Sequence, residues 1–319
     1  MKRTKQPLTK LLVAAGLLLA FSVVFAGEGG KLHTVRLPDA PSLQFYLRWT
    51  PDREPLISAH RGGPEPGYPE NCIASFENAI RYSPCVIELD VRKSLDGELV
   101  LMHDWTLDRT TTASGPIEAL TLDSLKTLQL IAENADTTEY VIPTFSEALT
   151  WARGKAILTV DVKRPVTPEE IVAAIEAHEA ESYAVVITYN ADEAFVYHNL
   201  NPNLVLSVGI SSEEDLNRLV NGGVPTKNMI AFVGITEPDK PLYELLHSRG
   251  IRCILGVMGN LDQRAEARGN RIYRDLYKNG ADVLSTDRVA SVAKAIEELK
   301  TESKQKTTQP KSKKKTRKK

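Results

Sequence analysis

Eight short runs of β-branched and apolar residues alternate with amphipathic stretches between residues 56 and 299. The runs lie at residues 56–59, 86–91, 156–162, 183–188, 204–209, 229–234, 252–257 and 283–286. Such alternation is typical of a parallel sheet built from βα units, and eight units over about 240 residues match the length of a (β/α)8 TIM barrel. We therefore expect an α/β fold of this type. A doubly wound open sheet is the structural alternative, but no glycine-rich dinucleotide loop follows the first run.

The amphipathic stretches between the runs are predicted helices. They lie at residues 73–81, 144–152, 168–180, 213–220, 241–249, 261–279 and 289–299. Thr167-Pro168 is typical of a helix start and Gly280 of a helix end, which supports two of these boundaries.

One feature interrupts the alternation after the second run. Asp96-Gly97 indicates a tight turn, so residues 98–103 form a predicted return strand of a short β-hairpin. Residues 105–140 then form a predicted long loop with one short helix at 120–128. Because loops that follow strands build the active site of a barrel, this loop is a candidate lid or substrate wall.

The ends of the chain differ in charge from its middle. Residues 27–299 contain 26 basic and 40 acidic residues, a net charge of −14, whereas the whole chain sums to −1. An acidic body repels nucleic acid, so we exclude nucleic-acid binding by this part of the chain. Residues 27–55 are a predicted lead-in segment to a barrel domain at 56–299.

Residues 1–26 have the organisation of a secretory signal peptide. Four basic residues precede an apolar run at residues 11–25. Val24-Phe25-Ala26 has the small-residue pattern of a signal-peptide cleavage site. We expect export and a periplasmic or secreted protein, with a retained N-terminal membrane anchor as the alternative.

The three cysteines, Cys72, Cys85 and Cys253, cannot all pair, and their spacing leaves open whether Cys72 and Cys85 form a disulfide or are buried thiols.

Residues 300–319 form a basic tail with ten basic residues and one acid. The tail lacks the apolar residues that seed a core, so we expect it to be disordered. On one interpretation it contacts an anionic membrane or cell-envelope surface, and on the other it only solubilises the chain.

Polar side chains cluster where the predicted strands end. Glu88 and Asp90 lie two residues apart and therefore on one face of the second strand, and Asp161 lies on the third. Carboxylates inside a barrel are costly unless they are paired or metal-bound. Because these three carboxylates offer only oxygen atoms as metal ligands, they favour Mg²⁺ or Ca²⁺ over zinc.

Basic and imidazole side chains accompany these acids. Arg61 and Lys163 supply the positive charge that a bound phosphate requires. His60 and His103, at two strand ends, supply an acid and a base. A metal, a cation pair and a histidine pair together indicate phosphodiester cleavage, with one histidine deprotonating the attacking oxygen and the other protonating the leaving alkoxide.

The ordered motifs of residues 56–125 resemble those of the glycerophosphodiester phosphodiesterase family. They are His60-Arg61-Gly62, Pro69-Glu70-Asn71, Glu88-Leu89-Asp90-Val91, the run from Asp96 to Asp104, and Leu107-Asp108-Arg109-Thr110-Thr111. Asp161-Val162-Lys163 and the closing run from Gly280 to Asp287 fit more loosely.

The resemblance implies a TIM barrel that uses a divalent cation to hydrolyse small-molecule glycerophosphodiesters to sn-glycerol 3-phosphate and an alcohol. It implies that His60 and His103 are the acid/base pair and that Arg61 is a phosphate ligand. It further implies Glu88 and Asp90 as metal ligands, with Glu70 as a further metal or substrate contact.

The chain departs from the family pattern at three places. Asp161 stands where a glutamate is usual, the loop at residues 63–68 is longer and richer in proline, and Gly256-Val257-Met258 replaces a motif that usually contains tryptophan.

Two other functions are alternatives to glycerophosphodiester hydrolysis. One is phospholipase D-like hydrolysis of lysophospholipids at a membrane surface. The other is a catalytically silent anion-binding barrel, which the two histidines argue against because binding needs no acid/base pair.

Overall fold

A computed structural model describes residues 31–308. From Leu32 onward the described residues form one compact unit, which holds all the elements described below. The predicted signal peptide at residues 1–26 and the end of the basic tail at 309–319 lie outside the described residues. Within the described part, no helix combines the length and the apolar character needed to span a membrane.

The described residues form a closed barrel of eight parallel strands. The strands of the chain are β1 (Leu56–Ala59), β2 (Cys85–Lys93), β3 (Leu99–Leu101), β4 (Gln129–Ile131), β5 (Thr137–Val141), β6 (Ile157–Val162), β7 (Ala184–Thr188), β8 (Val205–Gly209), β9 (Met229–Phe232), β10 (Cys253–Gly256) and β11 (Val283–Thr286). The barrel consists of β1, β2 and β6 to β11, and the parallel pairing of β1 with β2 closes it. The predicted (β/α)8 TIM barrel is confirmed, and β3 returns antiparallel to β2 as expected.

Eleven α-helices lie in the described residues, and most of them connect barrel strands. They are α1 (Ala40–Tyr46), α2 (Ile73–Tyr82), α3 (Leu122–Leu125), α4 (Phe145–Ala152), α5 (Pro168–Ala177), α6 (Ala191–Leu200), α7 (Glu213–Asn221), α8 (Lys240–Ser248), α9 (Asn260–Arg268), α10 (Arg271–Asn279) and α11 (Val289–Thr308). Gly269, with φ of +88°, ends α9 and divides the helix expected at 261–279.

Three elements were not predicted. Helix α6 has consecutive apolar residues, Phe195, Val196 and Tyr197, instead of the spacing of three or four that marks a helix. Helix α1 lies in the segment treated only as a lead-in. The long loop after β3 contains the two-stranded hairpin of β4 and β5 beside the short helix α3.

The inward side chains of the barrel change from apolar to polar along the strands. The first inward layer holds one buried apolar residue from each strand: Leu56, Val86, Ile157, Val185, Val205, Ile230, Ile254 and Val283. The alternation of strand side chains places the next inward layer two residues further on. That layer contains five buried polar residues, Ser58, Glu88, Thr159, Ser207 and Ser285. The barrel therefore has an apolar bottom, at the amino ends of its strands, and a polar mouth at their carboxyl ends.

Helix α1 closes the bottom of the barrel. Its Leu43 and the adjoining Leu47 pack against the apolar inward layer and are almost fully buried. Asp39 caps the helix by accepting a hydrogen bond from the Ser42 backbone N–H at 2.9 Å. The lead-in segment is thus part of the barrel core, and the site must lie at the opposite, polar end.

A buried ion pair also fastens the bottom. The Arg53 guanidinium contacts Asp282, whose side chain is fully buried just before β11. The other oxygen of Asp282 accepts the backbone N–H of Cys253 at 2.7 Å and lies 2.9 Å from His247 Nε2. This arrangement links the lead-in segment to β10, β11 and α8.

Replacing Arg53 by methionine is expected to destabilise the fold by about 3 kcal/mol, because it leaves the Asp282 charge buried without its partner. Urea unfolding at neutral pH measures this. The control is Arg218→Met, which breaks an exposed pair with Asp192 and should cost under about 1 kcal/mol. Equal stability losses in the two variants would contradict the role given to Arg53.

The predicted disorder of the basic tail is wrong over its first part. Helix α11 continues to Thr308, past the boundary expected at residue 299. Arg274 and Lys278 of α10 each donate a hydrogen bond to Glu302 at 2.8 Å, so ion pairs rather than apolar contacts hold this part of α11.

The three cysteines are all free and buried. Burial raises the pKa of each thiol. Of the two interpretations left open by their spacing, the structure favours buried thiols over a Cys72–Cys85 disulfide.

Candidate active site

Three carboxylates converge at the mouth of the barrel. Glu88 and Asp90 project from β2 and Asp161 from β6, and one oxygen of each lies within 4.8 Å of the others. The strand register places Asp90 directly beside Asp161. All three are buried, with Asp90 only 1% exposed. The set expected from residue spacing alone is therefore brought together by the pairing of β2 with β6.

The cluster is short of positive charge. Lys163 Nζ lies 2.9 Å from Asp90 Oδ1 and 2.6 Å from Asp161 Oδ2, so one ammonium serves two carboxylates. Burial, followed by the charge of Asp90, raises the pKa of Glu88. Burial alone would lower the pKa of Lys163, but the charges of Asp90 and Asp161 outweigh it and raise that pKa. A further cation would relieve the remaining repulsion.

The donor set fits a hard divalent cation. Asp161 Oδ1 is buried and has no hydrogen-bond partner within residues 31–308, which leaves an oxygen aimed at no proton donor. Oxygen-only ligands suit Mg²⁺ and Ca²⁺. A second cluster with metal-ligating side chains, His247, Cys253 and Asp282, lies at the barrel bottom, but the Arg53 guanidinium already neutralises its carboxylate.

His60 sits in a tight turn directly above β1. Its Nδ1 lies 2.7 Å from Asp287 Oδ1, which follows β11, because β1 and β11 are paired in register up to Ala59 and Thr286. Arg61 adopts a left-handed conformation, with φ of +50°, and its backbone N–H donates to Glu88 Oε2 at 2.7 Å. The turn therefore fixes the histidine above the carboxylates.

The glycine after Arg61 allows this turn. Gly62 has φ of +85°, and a Cβ there would lie 2.3 Å from the ring of Phe76 in α2. Burial alone would lower the pKa of His60, but the hydrogen bond to Asp287 and the charge of Glu88 raise it overall. The Asp287 carboxylate also engages Nδ1, which leaves Nε2 as the nitrogen available for proton transfer.

His103 has an equivalent acidic partner at the end of β3. Its Nδ1 lies 2.7 Å from Asp104 Oδ1, and the Arg92 guanidinium binds its carbonyl oxygen at 2.8 and 3.0 Å. Met102 N–H donates to the Asp90 carbonyl at 3.0 Å, which places the histidine beside β2 at the barrel mouth. Both predicted histidines thus lie at the mouth, each with one nitrogen held by an aspartate.

Arg109 joins the second histidine to the first motif. Its Nε donates to Asp104 Oδ2 at 2.7 Å, and its two terminal nitrogens bind the oxygens of Glu70 at 2.7 and 2.8 Å. The hydrogen bond from Arg109, and then that from His103, holds the pKa of Asp104 well below its usual range. Glu70 also accepts from Arg61 Nη1 at 3.1 and 3.3 Å.

Glu70, expected as a further metal or substrate contact, lies outside the three-carboxylate cluster. Its carboxylate is held between Arg61 and Arg109. Lys163, expected to bind phosphate, is likewise occupied by Asp90 and Asp161. Arg61, the other cation expected to bind phosphate, follows His60 and pairs with Glu70. Its Nε lies 3.9 Å from Asp90 Oδ2 and has no hydrogen-bond partner among the described residues.

Several residues at the site were not assigned from the sequence. Three of them, Asp104, Arg109 and Asp287, lie in the motifs that resemble the family. The sequence therefore marked these positions but did not indicate what each side chain does. Asn71 fixes Asp90 through two hydrogen bonds, of 2.8 Å to Oδ2 and 2.9 Å from the backbone N–H. Tyr189 donates its hydroxyl to Asp161 Oδ2 at 2.6 Å and had no signal beyond its position after a strand.

The half of the mouth across from β2 is apolar. A Cβ on Gly256 of β10 would lie 3.0 to 3.2 Å from side-chain atoms of Phe232, Ile235 and Met258, so glycine lets these three converge. Ile235 is 64% exposed. A cavity of about 370 Å³ lies beside Phe232, and its lining also includes the polar or charged side chains of Ser211, Asp215 and Arg218. The mouth therefore offers a charged half for a phosphate and an apolar half for an organic group.

Comparison with known proteins identifies relatives with this architecture. The model of the glycerophosphoryl diester phosphodiesterase family matches residues 60–229. A crystal structure of a glycerophosphoryl diester phosphodiesterase from Parabacteroides distasonis is 33% identical, with a TM-score of 0.79, and the match covers 84% of this chain and 95% of that one.

Curated relatives match over shorter lengths. The glycerophosphodiester phosphodiesterase of Bacillus subtilis is 32% identical over 176 residues, which are 49% of this chain and 59% of the relative. That of Caldanaerobacter subterraneus is 33% identical over 142 residues, 42% of this chain and 58% of the relative. The chain thus spans less than two thirds of these relatives. An Oleispira antarctica phosphodiesterase in complex with the product sn-glycerol-3-phosphate shares the fold, with 22% identity, a TM-score of 0.61 and coverage of 76% and 97%.

Proposed function

The chain belongs to the glycerophosphoryl diester phosphodiesterase family, and from this premise we propose that it is an enzyme that hydrolyses glycerophosphodiesters to sn-glycerol 3-phosphate and an alcohol. One observation carries the proposal. Two histidines, each with Nδ1 held by an aspartate, lie at the barrel mouth that holds the buried carboxylate cluster. Binding alone would not require two oriented imidazoles at an anion site.

The side chains divide the work as follows. Arg61 binds a non-bridging phosphoryl oxygen and thereby orients the diester. Nε2 of one histidine removes the proton from the attacking oxygen as that oxygen forms its bond to phosphorus. Nε2 of the other donates a proton to the alcohol oxygen as its bond to phosphorus breaks, so one proton is taken up and one is released. Asp287 and Asp104 stabilise whichever imidazolium is present.

We propose that Glu88, Asp90 and Asp161 hold a divalent cation, Mg²⁺ or Ca²⁺, at this site. The buried Asp161 Oδ1 and the charge imbalance of the cluster support this. When bound, the cation supplies Lewis-acid stabilisation of charge on the phosphoryl oxygens.

A second substrate class is favoured by the apolar half of the mouth. Phe232, Ile235 and Met258 would contact an alkyl chain better than the polar alcohol of a deacylated diester. Lysophospholipids carry such a chain. Comparing kcat/KM for glycerophosphocholine with that for short-chain lysophosphatidylcholine below its micelle concentration separates the two classes.

The test of the proposed function is release of sn-glycerol 3-phosphate, followed with a coupled dehydrogenase. The full chain is incubated with glycerophosphocholine, glycerophosphoethanolamine and glycerophosphoglycerol in the presence of Mg²⁺ or Ca²⁺. Release from at least one diester is expected. Binding of the diesters without any turnover would overturn the enzymatic proposal and support a silent anion-binding barrel.

Export is a further part of the proposal, and it rests on the pattern of residues 1–26. A periplasmic or secreted location is expected, where the basic tail would contact an anionic surface. Cell fractionation of the natural host with an antibody to the barrel tests the location. Recovery of the full-length chain in the cytosolic fraction would contradict it.

Arg109 is expected to support turnover by holding Asp104 and Glu70 in place. Arg109→Ala should lower kcat by about 10- to 100-fold, in the range seen for residues that orient catalytic groups. Arg109→Lys should recover little, because an ammonium cannot make the bidentate contact to Glu70. Steady-state kinetics measure both, with Arg153→Ala, which breaks an exposed pair with Glu179, as the control. Full activity of the lysine variant would show that charge alone suffices.

A further inference from the structure

Tyr189 reaches the carboxylate cluster although the residue is largely exposed. Its hydroxyl donates to Asp161 Oδ2 at 2.6 Å, while the residue as a whole is 65% exposed. Lys163 Nζ donates to the same oxygen at 2.6 Å. Asp161 is 7% exposed, and its Oδ1 has no hydrogen-bond partner in the described part of the chain. Two donors therefore occupy one carboxylate oxygen and leave the other for a different kind of ligand.

The backbone of Tyr189 is fixed where β7 joins α6. Its N–H donates to Glu193 Oε2 at 2.8 Å, and Asn190 Oδ1 caps the helix by accepting the Glu193 N–H at 2.9 Å. The position of the hydroxyl is thus set by a capped helix start rather than by a free loop. A donor on a rigid element can orient a carboxylate with little entropic cost at the time of binding.

The two oxygens of the Asp161 carboxylate differ in their contacts. Oδ2 accepts hydrogen bonds from Tyr189 and Lys163, and Oδ1 has none among the described residues. A hydrogen bond to one carboxylate oxygen restricts rotation of the side chain and presents the other oxygen in one direction. Tyr189, which directly follows the neighbouring strand β7, supplies this bond.

We propose that Tyr189 is a positioning residue of the cation site. Its hydroxyl donates a hydrogen bond to Asp161 Oδ2 and thereby orients Asp161 Oδ1 to coordinate the cation. The inference rests on the cation site of the proposed function and adds a residue to it. Tyr189 acts through Asp161, so its loss changes cation affinity first and turnover only as a consequence.

The test is direct titration of MgCl₂ and of CaCl₂ into the cation-free full chain by calorimetry, without substrate. Tyr189→Phe keeps the ring and removes only the hydroxyl, and it should weaken affinity by about 10-fold or more. Tyr82→Phe is the matched control, because it removes a 3.0 Å hydrogen bond from a tyrosine hydroxyl to the carboxylate of Glu65. The control should bind the cation as the parent does.

A stability measurement separates positioning from a general loss of structure. Urea unfolding of the cation-free Tyr189→Phe variant should resemble that of the parent, because Tyr189 is largely exposed. Weakened cation binding by a variant of parent-like stability is a result that a disrupted fold would not give.

Two results would overturn the proposal. One is parent-like affinity in Tyr189→Phe, and the other is the absence of measurable cation binding by the parent chain. Because no substrate is present, these results are independent of whether the chain releases sn-glycerol 3-phosphate. Normal binding behaviour with no turnover would refute the proposed function and leave the role of Tyr189 standing.

Discussion

Replacing His60 or His103 by alanine is expected to lower kcat on glycerophosphodiesters by about 10²- to 10⁴-fold, the usual contribution of a positioned acid or base. Each alanine variant removes one of the two proton transfers and leaves Arg61 and the carboxylates in place. KM should change far less than kcat. The double variant should be little worse than either single variant, because the two transfers serve one displacement.

The control for these variants is His198→Ala, a histidine on α6 that contacts none of the catalytic groups named above. It should retain parent activity. Circular dichroism of all variants checks that the barrel is intact. Retention of more than about a tenth of parent kcat in either His60→Ala or His103→Ala would remove that histidine from the acid/base pair.

The partner of His60 should control the pH dependence of the reaction. Asp287 raises the pKa of His60 through its hydrogen bond and its charge. Asp287→Asn keeps a similar shape but loses the charge, so the pKa of His60 should fall. The limb of the pH–rate profile that reports His60 should therefore move to lower pH. An unchanged profile would indicate that His60 does not titrate in the measured range.

Removing divalent cations with a chelator is expected to reduce activity to background, and added Mg²⁺ or Ca²⁺ should restore it. The Lewis-acid contribution of such an ion is several kcal/mol, which corresponds to at least about a thousandfold in rate. The same ion should stabilise the fold, since a ligand present at about 100 times its Kd adds about 2.7 kcal/mol. Thermal unfolding with and without the ion measures this second effect.

The variant Asp161→Asn connects the two effects. It should lose both the restored activity and the cation-induced rise in Tm. Asp192→Asn, at an exposed aspartate on α6, is the control and should keep both.

Cation affinity should also rise with pH. Burial and the charge of Asp90 raise the pKa of Glu88, and Glu88 must lose its proton to bind the cation. Activity that survives exhaustive chelation would contradict a cation site at these residues.

The eight-stranded barrel could be predicted from local pattern. Each barrel strand is a short apolar run between turn signals, and strand length and count are properties of the sequence alone. The parts that were missed have weaker local patterns. Helix α6 has no single apolar face, the β4–β5 hairpin lies in a polar loop, and the end of α11 depends on ion pairs between Glu302 and α10.

The site could be predicted in its residue types but only partly in its contacts. Glu88, Asp90 and Asp161 were identified because a carboxylate on a buried strand needs a partner. The partners of Glu70 and Lys163 could not be read from spacing. Arg109 comes 39 residues after Glu70 and approaches it only because the β2–β3 hairpin folds back over the mouth. Asp287 meets His60 across 227 residues because β1 pairs with β11.

The sequence by itself determined the eight βα units, the acidic body and the side chains able to carry a phosphodiester reaction. These are properties of residue type and of short-range periodicity, which every segment carries independently. Only the tertiary structure decided which charges neutralise which, because strand pairing and loop folding bring side chains together without regard to their separation along the chain. That folding places Glu70 between two arginines and Lys163 between two carboxylates. It also places the hydroxyl of Tyr189 on one oxygen of Asp161, whose other oxygen has no hydrogen-bond partner among the described residues.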